Sequence, residues 1–174
     1  MLEAALEAGF SASGVDVMLC GPMPTPAVAY LTRALRLQAG VVISASHNPY
    51  HDNGLKVFSP SGQKLDDKTE QAIEKDLQID AAQFPAIAQG EVVRDEQGAR
   101  ELQQQYLTFL QNEIGAGLHL AGLKIVLDCA QGASAQLAPA LFQALGADTV
   151  VINAAPNGRN INLDCGALHT EELQ

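Results

Sequence analysis

One stretch of this sequence gathers residue types that could handle a phosphoryl group: Ser46-His47-Asn48-Pro49, then Asp52-Asn53-Gly54, then Lys56. A serine hydroxyl can carry a phosphoryl group, and a neighbouring histidine can move the proton that such a transfer releases. A lysine supplies the fixed positive charge that the transferring group needs. Asn48 and successive backbone N–H groups suit an anion-binding nest, and Pro49 stiffens the loop that would hold them. Each residue taken singly has an ordinary explanation, since a loop serine usually just turns the chain and a strand lysine is usually a solvated edge residue. Their joint occurrence points to phosphate chemistry. A serine-hydrolase reading of Ser46 and His47 fails on geometry: neighbours at a strand end project in different directions, and the strained Gly-x-Ser-x-Gly turn is absent.

The elements that must position these residues are legible around them. Gly40 to Ala45 is an apolar, β-branched run that predicts a buried strand delivering Ser46 to a loop at its C-terminal end, where α/β sheets place their ligands. The Asp52-Asn53-Gly54 turn predicts that Leu55 to Phe58 folds back as a second strand, bringing Lys56 toward the serine loop. Upstream, Thr25 as N-cap and Pro26 in the first turn predict a helix with Ala27, Leu31, Ala34 and Leu35 at helical spacing. Residues 1 to 8 read as the end of a helix with Leu2, Ala5 and Leu6 on one face and Gly9 as its stop, before a short apolar run from Asp16 to Cys20. Asp67 with Glu70 reads as a capping box opening a helix to about Leu77.

Between Ile79 and Gly98 the composition shifts to Ala, Gln, Asp and Gly with a lone Pro85, which predicts a connection between lobes with a short strand near Glu91 to Val93. Beyond it, Leu102, Tyr106, Phe109 and Leu110 predict a helix stopped by Gly115. Leu123 to Leu127, residues 134 to 145 with Pro139 distorting the first turn, and Thr149 to Ile152 then form a strand–helix–strand unit, which implies a parallel sheet with a right-handed crossover. The fold class is therefore α/β, with mixed or parallel sheets flanked by helices, divided into residues 1–90 and 91–174. The chain opens in mid-helix and stops where another helix starts, so the expectation is a fragment of a longer protein.

Composition narrows the function classes. The 174 residues are 47% hydrophobic, enough for a sizeable core, and acids outnumber bases 20 to 10 for a net charge of -10. Such a balance argues against a nucleic-acid surface, which needs clustered Lys and Arg. The charge is uneven, however: from Arg33 to Lys64 there are four bases (Arg33, Arg36, Lys56, Lys64) against Asp52 alone. A locally basic stretch in an acidic chain suits a small anion. No apolar run reaches the length of a membrane span, and Met1 to Ala5 lacks the basic start of a secretory signal, so no membrane partner is expected. Cys20, Cys129 and Cys165 are odd in number and widely spaced, which fits a reducing cytoplasm better than a disulfide framework. Cys20 and Cys129 read as small buried hydrophobes, Cys165 as a loop thiol open to reaction, and His51, His119 and His169 as surface residues without metal-ligand spacing.

Ser44-Ala45-Ser46-His47-Asn48-Pro49 with the downstream Asp52-Asn53-Gly54-Leu55-Lys56 closely resembles the active-site loop of the α-D-phosphohexomutases, and Gly21-Pro22-Met23-Pro24-Thr25-Pro26-Ala27 resembles that family's segment before a helix. The resemblance implies that Ser46 is the phosphorylated catalytic residue, with His47 and Lys56 as the loop's catalytic histidine and lysine. Leu123 to Ala133 and Pro156-Asn157-Gly158-Arg159-Asn160-Ile161-Asn162, continuing through Cys165-Gly166-Ala167, resemble the bacterial branch that interconverts glucosamine 6-phosphate and glucosamine 1-phosphate. A hexosamine phosphate substrate is thus implied. So is Mg2+, held by a phosphate oxygen on Ser46 and by an aspartate-rich loop that this sequence does not contain. The phosphomannomutase and phosphoglucomutase branches, and a non-catalytic binding fragment, stay open as alternatives. The family's metal, sugar-specificity and phosphate-binding loops are all missing, which implies that this length alone does not turn over.

Overall fold

The computed structural model describes residues 1–77 and 88–173. Among the described residues, helices flank three two-stranded sheets, one antiparallel and two parallel, as the α/β reading expects. Strand β2 (Gly40–Ser44) pairs antiparallel with β3 (Gly54–Phe58), in a register that sets Val42 against Lys56 and Ser44 against Gly54. Helix α2 (Thr25–Ala34) covers this hairpin. Gly40 is glycine because Thr32 of α2 lies against it: a Cβ there would come 2.0 Å from Thr32 Oγ1. That hydroxyl donates to Val28 O at 2.7 Å, the usual way a buried threonine satisfies itself inside a helix.

Strand β5 (Lys124–Asp128), helix α5 (Leu137–Ala144) and strand β6 (Asp148–Ile152) form the expected unit, with β5 and β6 parallel. Helix α5 starts three residues later than the pattern predicts, so Pro139 falls at its third residue. There its missing N–H leaves no intrahelical bond unmade. Helix α4 (Glu96–Phe109) passes into a π-helical turn, Leu110–Ile114, before Gly115. Its apolar face meets α2 and α5 in one core of Met23, Ala27, Leu31, Tyr106, Leu107 and Leu137, with Tyr30 stacked on Phe109 at 4.1 Å.

Several expectations need correction. Helix α1 (Leu2–Ala12) runs through Gly9, which faces open space, because one glycine costs a helix only about 1 kcal/mol. Its buried residue is not in the predicted row: Leu2 and Ala5 are exposed, whereas Glu7 is 4% exposed and ion-paired with Arg94. Pro24 occupies the cap position of α2, so Thr25 is its first helical residue and caps nothing. In α3 (Asp67–Asp76) the cap is Asp66, whose Oδ1 accepts from Thr69 N at 2.8 Å, and Glu70 pairs with Lys64 at 2.6 Å instead of closing a box. Part of the predicted connection, 79–87, lies outside the described residues. Past it, the chain forms β4 (Val92–Val93) parallel to β1 (Val17–Met18), and α4 already begins at Glu96.

Candidate active site

Strand β2 ends at Ser44, whose side chain shapes the start of the loop: Ser44 Oγ accepts from Ser46 N at 3.0 Å. Ser46 itself has φ 55, in the left-handed region that disfavours a side chain, so its conformation is held by surrounding contacts and not by local preference. The loop closes on itself through Asn48 N to Ala45 O at 2.9 Å, Asp52 N to Pro49 O at 3.0 Å, and Asn53 Nδ2 to Tyr50 O at 2.6 Å. The N–H groups of Ser46 and Asn48 are therefore engaged within the loop, which corrects the expectation of a row of free amides forming a nest.

A cleft of about 420 Å³ opens at this loop, with Ser46, Asn48, Asp52 and Lys56 in its walls. The antiparallel pairing of β2 and β3 brings Ser46 and Lys56 to it together. Lys56 is half-buried and forms no salt bridge among the described residues, and Asp52 lines the same cleft without pairing to it. His47 is exposed on the loop and is not in the cleft wall. Of the other bases in the locally basic stretch, Lys64 is neutralised by Glu70.

The loop is braced from the far end of the sequence. Asn162 Nδ2 donates to Ser46 O and to Asn48 O, each at 2.9 Å, across 116 and 114 positions. Asn162 is in turn fixed by its own N–H, which donates to Ala130 O at 3.0 Å. Beneath it, Asp128 at the end of β5 accepts from Ala130 N at 2.8 Å and from Gly166 N at 2.7 Å. Ala130, Gln131, Asn153, Asn162 and Asp164 all have positive φ between 50 and 57, so this brace is a cluster of left-handed turns locked by Asp128 and its neighbours. Gly166, at φ 80, is the tightest point: a Cβ there would lie 2.7 Å from Ala130 Cβ.

Residues 1–83 match the family model "Phosphoglucomutase/phosphomannomutase, alpha/beta/alpha domain I". Phosphoglucosamine mutases of Burkholderia lata and Burkholderia cenocepacia are 56% and 57% identical to this chain over 175 and 173 residues, covering 99% of it. Along nearly its whole length the chain is similar to the phosphohexomutases. It spans about 38% of the length of these curated relatives. A phosphoglucomutase/phosphomannomutase family protein of Burkholderia thailandensis superposes with a TM-score of 0.75 at 29% identity, covering 99% of this chain and 37% of that one. A putative phosphomannomutase from Thermus thermophilus, 24% identical, shares the fold with a TM-score of 0.63 over 86% of this chain and 33% of its own.

The magnesium that a phosphohexomutase implies finds little here to hold it: among the described residues no three His, Cys, Asp or Glu side chains converge. Asp128 already gives both oxygens to backbone N–H groups. The residues present do not make a magnesium site by themselves. No helix among the described residues is long and apolar enough to cross a membrane. His51, His119 and His169 are exposed, as expected.

Cys165 is not the open loop thiol that its position suggests, because it is 2% exposed. Burial pushes its thiol up from the ordinary value, with the charges of Asp128, Glu172 and Asp164 adding to the shift. Cys129 is buried and shifted the same way, mainly by burial, whereas Cys20 is only half-buried. The residues that sequence reasoning did not single out are Asn162 and Asp128. An Asn-rich loop signals left-handed turns, but nothing in its pattern says which distant loop it reaches.

Proposed function

We propose that this chain carries the phosphoserine loop of a phosphoglucosamine mutase, in which residues 1–90 belong to the first domain and 91–174 to the second. Phospho-Ser46 transfers its phosphoryl group to the free hydroxyl of a glucosamine monophosphate. The P–Oγ bond breaks, a P–O bond to the sugar forms, and the hydroxyl's proton passes to a base and then to Ser46 Oγ. Reorientation of the bisphosphorylated sugar and transfer of its other phosphoryl group back to Ser46 completes the isomerisation. Lys56 offsets the charge of the transferring group, about -1.5 to -2 at neutral pH, and His47 moves the proton. Since His47 is outside the cleft wall, its role requires the substrate to approach from the exposed side of the loop.

The observation that carries this reading is Ser46, held at φ 55 beside a cleft that also contains Lys56, in a chain 56% identical to a phosphoglucosamine mutase. The test is to incubate a full-length mutase containing this sequence with glucosamine 1,6-bisphosphate and to map the phosphoryl group by peptide mass. Label on the peptide holding Ser46, its loss with turnover in Ser46→Ala, and preference for glucosamine phosphate over mannose and glucose phosphates are the expected results. Label retained in Ser46→Ala would reject the assignment of the carrier. Preference for another sugar would move the protein to a sister branch of the family.

A further inference from the structure

We infer that Asn162 is a positioning residue for the phosphoserine loop, acting through the two carbonyl groups that flank His47. The inference rests on the reading of Ser46 as phosphoryl carrier, and it adds a requirement that the loop be held by residues from beyond position 128. A primary amide has two N–H donors, and Asn162 directs both at the loop, one to Ser46 O and one to Asn48 O. These bonds fix the Ser46–His47 and Asn48–Pro49 peptide units. They thereby hold Ser46 in a left-handed conformation that its own type disfavours.

The brace is rigid because its own support is complete. The backbone N–H of Asn162 is bonded to Ala130 O, and Ala130 N and Gly166 N are pinned by the two oxygens of Asp128. Strand β5 therefore ends in a carboxylate that organises a turn, and the turn presents an amide that organises the catalytic loop. For a phosphoryl carrier this placement matters, because an in-line transfer loses much of its rate when the reacting atoms are displaced by about 1 Å.

A competing explanation is local: Asn162 has φ 57, and asparagine tolerates that conformation better than most residues. Glycine would serve as well for that purpose alone, so Asn162→Gly separates the two explanations. It keeps the backbone conformation and removes both donors. Asn162→Asp keeps the shape and the tolerance for positive φ while replacing the donating group with an acceptor.

Amide hydrogen exchange in peptides covering residues 44–52, read alongside the thermal midpoint, needs no catalytic activity. Both variants are expected to raise exchange in the loop about tenfold, the effect of losing both hydrogen bonds that brace it. Elsewhere in the chain exchange should stay within about twofold, a change too small to signal global loosening. In a full-length mutase containing this sequence, kcat should fall about tenfold or more while KM stays within about threefold, as expected when reacting groups are misplaced but binding is kept. Loop exchange in Asn162→Gly equal to wild type would overturn the inference. A rise in exchange across the whole chain would overturn it too, in favour of a general structural role. If the wild-type enzyme proves to isomerise no hexose phosphate, the exchange result still decides whether Asn162 holds the loop. That failure would then fall on the proposed function alone.

Discussion

Gly158 and Gly166 make a matched pair of perturbations, because both have left-handed backbones at φ 82 and φ 80 but different surroundings. At Gly158 an added Cβ meets nothing within 4 Å, whereas at Gly166 it would lie 2.7 Å from Ala130 Cβ, a short side chain that cannot swing away. Placing alanine in the left-handed region costs about 1–2 kcal/mol, partly offset by about 0.4–1 kcal/mol from the stiffer unfolded chain. Gly158→Ala should therefore destabilise by about 0.5–1.5 kcal/mol. Gly166→Ala adds an overpacking cost of about 1–3 kcal/mol, for a total of about 2–4 kcal/mol. For a chain of this size each kcal/mol moves the midpoint by about 2–4 °C, so the expected falls are about 1–6 °C and about 4–16 °C. Calorimetry or circular dichroism on both variants measures the difference. Only Gly166→Ala should also raise amide exchange at residues 44–52, since displacing Ala130 removes the support of Asn162. Equal midpoints in the two variants would refute the packing argument, and an unchanged loop in a clearly destabilised Gly166→Ala would refute the claim that the brace transmits to Ser46.

Lys56→Ala should raise the barrier to turnover in the full-length enzyme by about 2–4 kcal/mol, and His47→Ala should slow it about 10²–10⁴-fold, with thermal midpoints near wild type; near-normal turnover in both would reject their catalytic roles. Arg94→Ala should destabilise by about 2–4 kcal/mol in urea unfolding, because it strands the buried carboxylate of Glu7, while Arg94 itself is 64% exposed and water softens its loss. Glu7→Leu in the same background should recover most of that, and a double variant as unstable as Arg94→Ala would contradict the account. Cys20 should be alkylated before Cys129 and Cys165 at neutral pH, as read by peptide mass after timed quenching. Since burial raises all three thiols, their protonated forms support the fold below the ordinary value of 9.0, and that support should decline as pH rises beyond it. The bond from Thr69 N–H holds the Asp66 carboxyl below its ordinary 3.8, so the start of α3 should loosen only as pH falls beneath that value. Replacing Asp66 with alanine should abolish this acid dependence in the amide shifts of α3.

The hairpin carrying Ser46 and Lys56 is legible in the sequence because each of its signals is local. A β-branched run gives β2, an Asp-Asn-Gly turn gives the return, and the register then brings Lys56 alongside the loop. The unit of β5, α5 and β6 is legible for the same reason. Helix ends fall one to four residues from their expected places where several acceptors compete, as with Asp66 against Asp67, and where one glycine mimics a stop, as with Gly9. Glu7 shows a deeper limit: hydrophobic periodicity places Leu2, Ala5 and Leu6 inward, but only Leu6 is even half-buried, and the buried residue is Glu7, whose partner is an arginine 87 positions away. The same limit hides the brace, since the bonds of Asn162 to the loop depend on how distant turns stack and not on any neighbouring residue.

The separation between Ser46 and Asn162 also imposes an order on the chain's maturation. The hairpin can form as soon as Phe58 has been made, but its loop lacks two of its bonds until residue 162 is added. At about 5–20 residues added per second, the 104 positions from Phe58 to Asn162 take about 5–21 s to synthesise. During that interval Ser46 sits on a formed strand in an unfinished loop, free to leave its disfavoured backbone conformation. Ser46 is thus made early and set late. A nascent chain interrupted before residue 162 would hold Ser46, His47 and Lys56 without the two bonds that fix the loop between them.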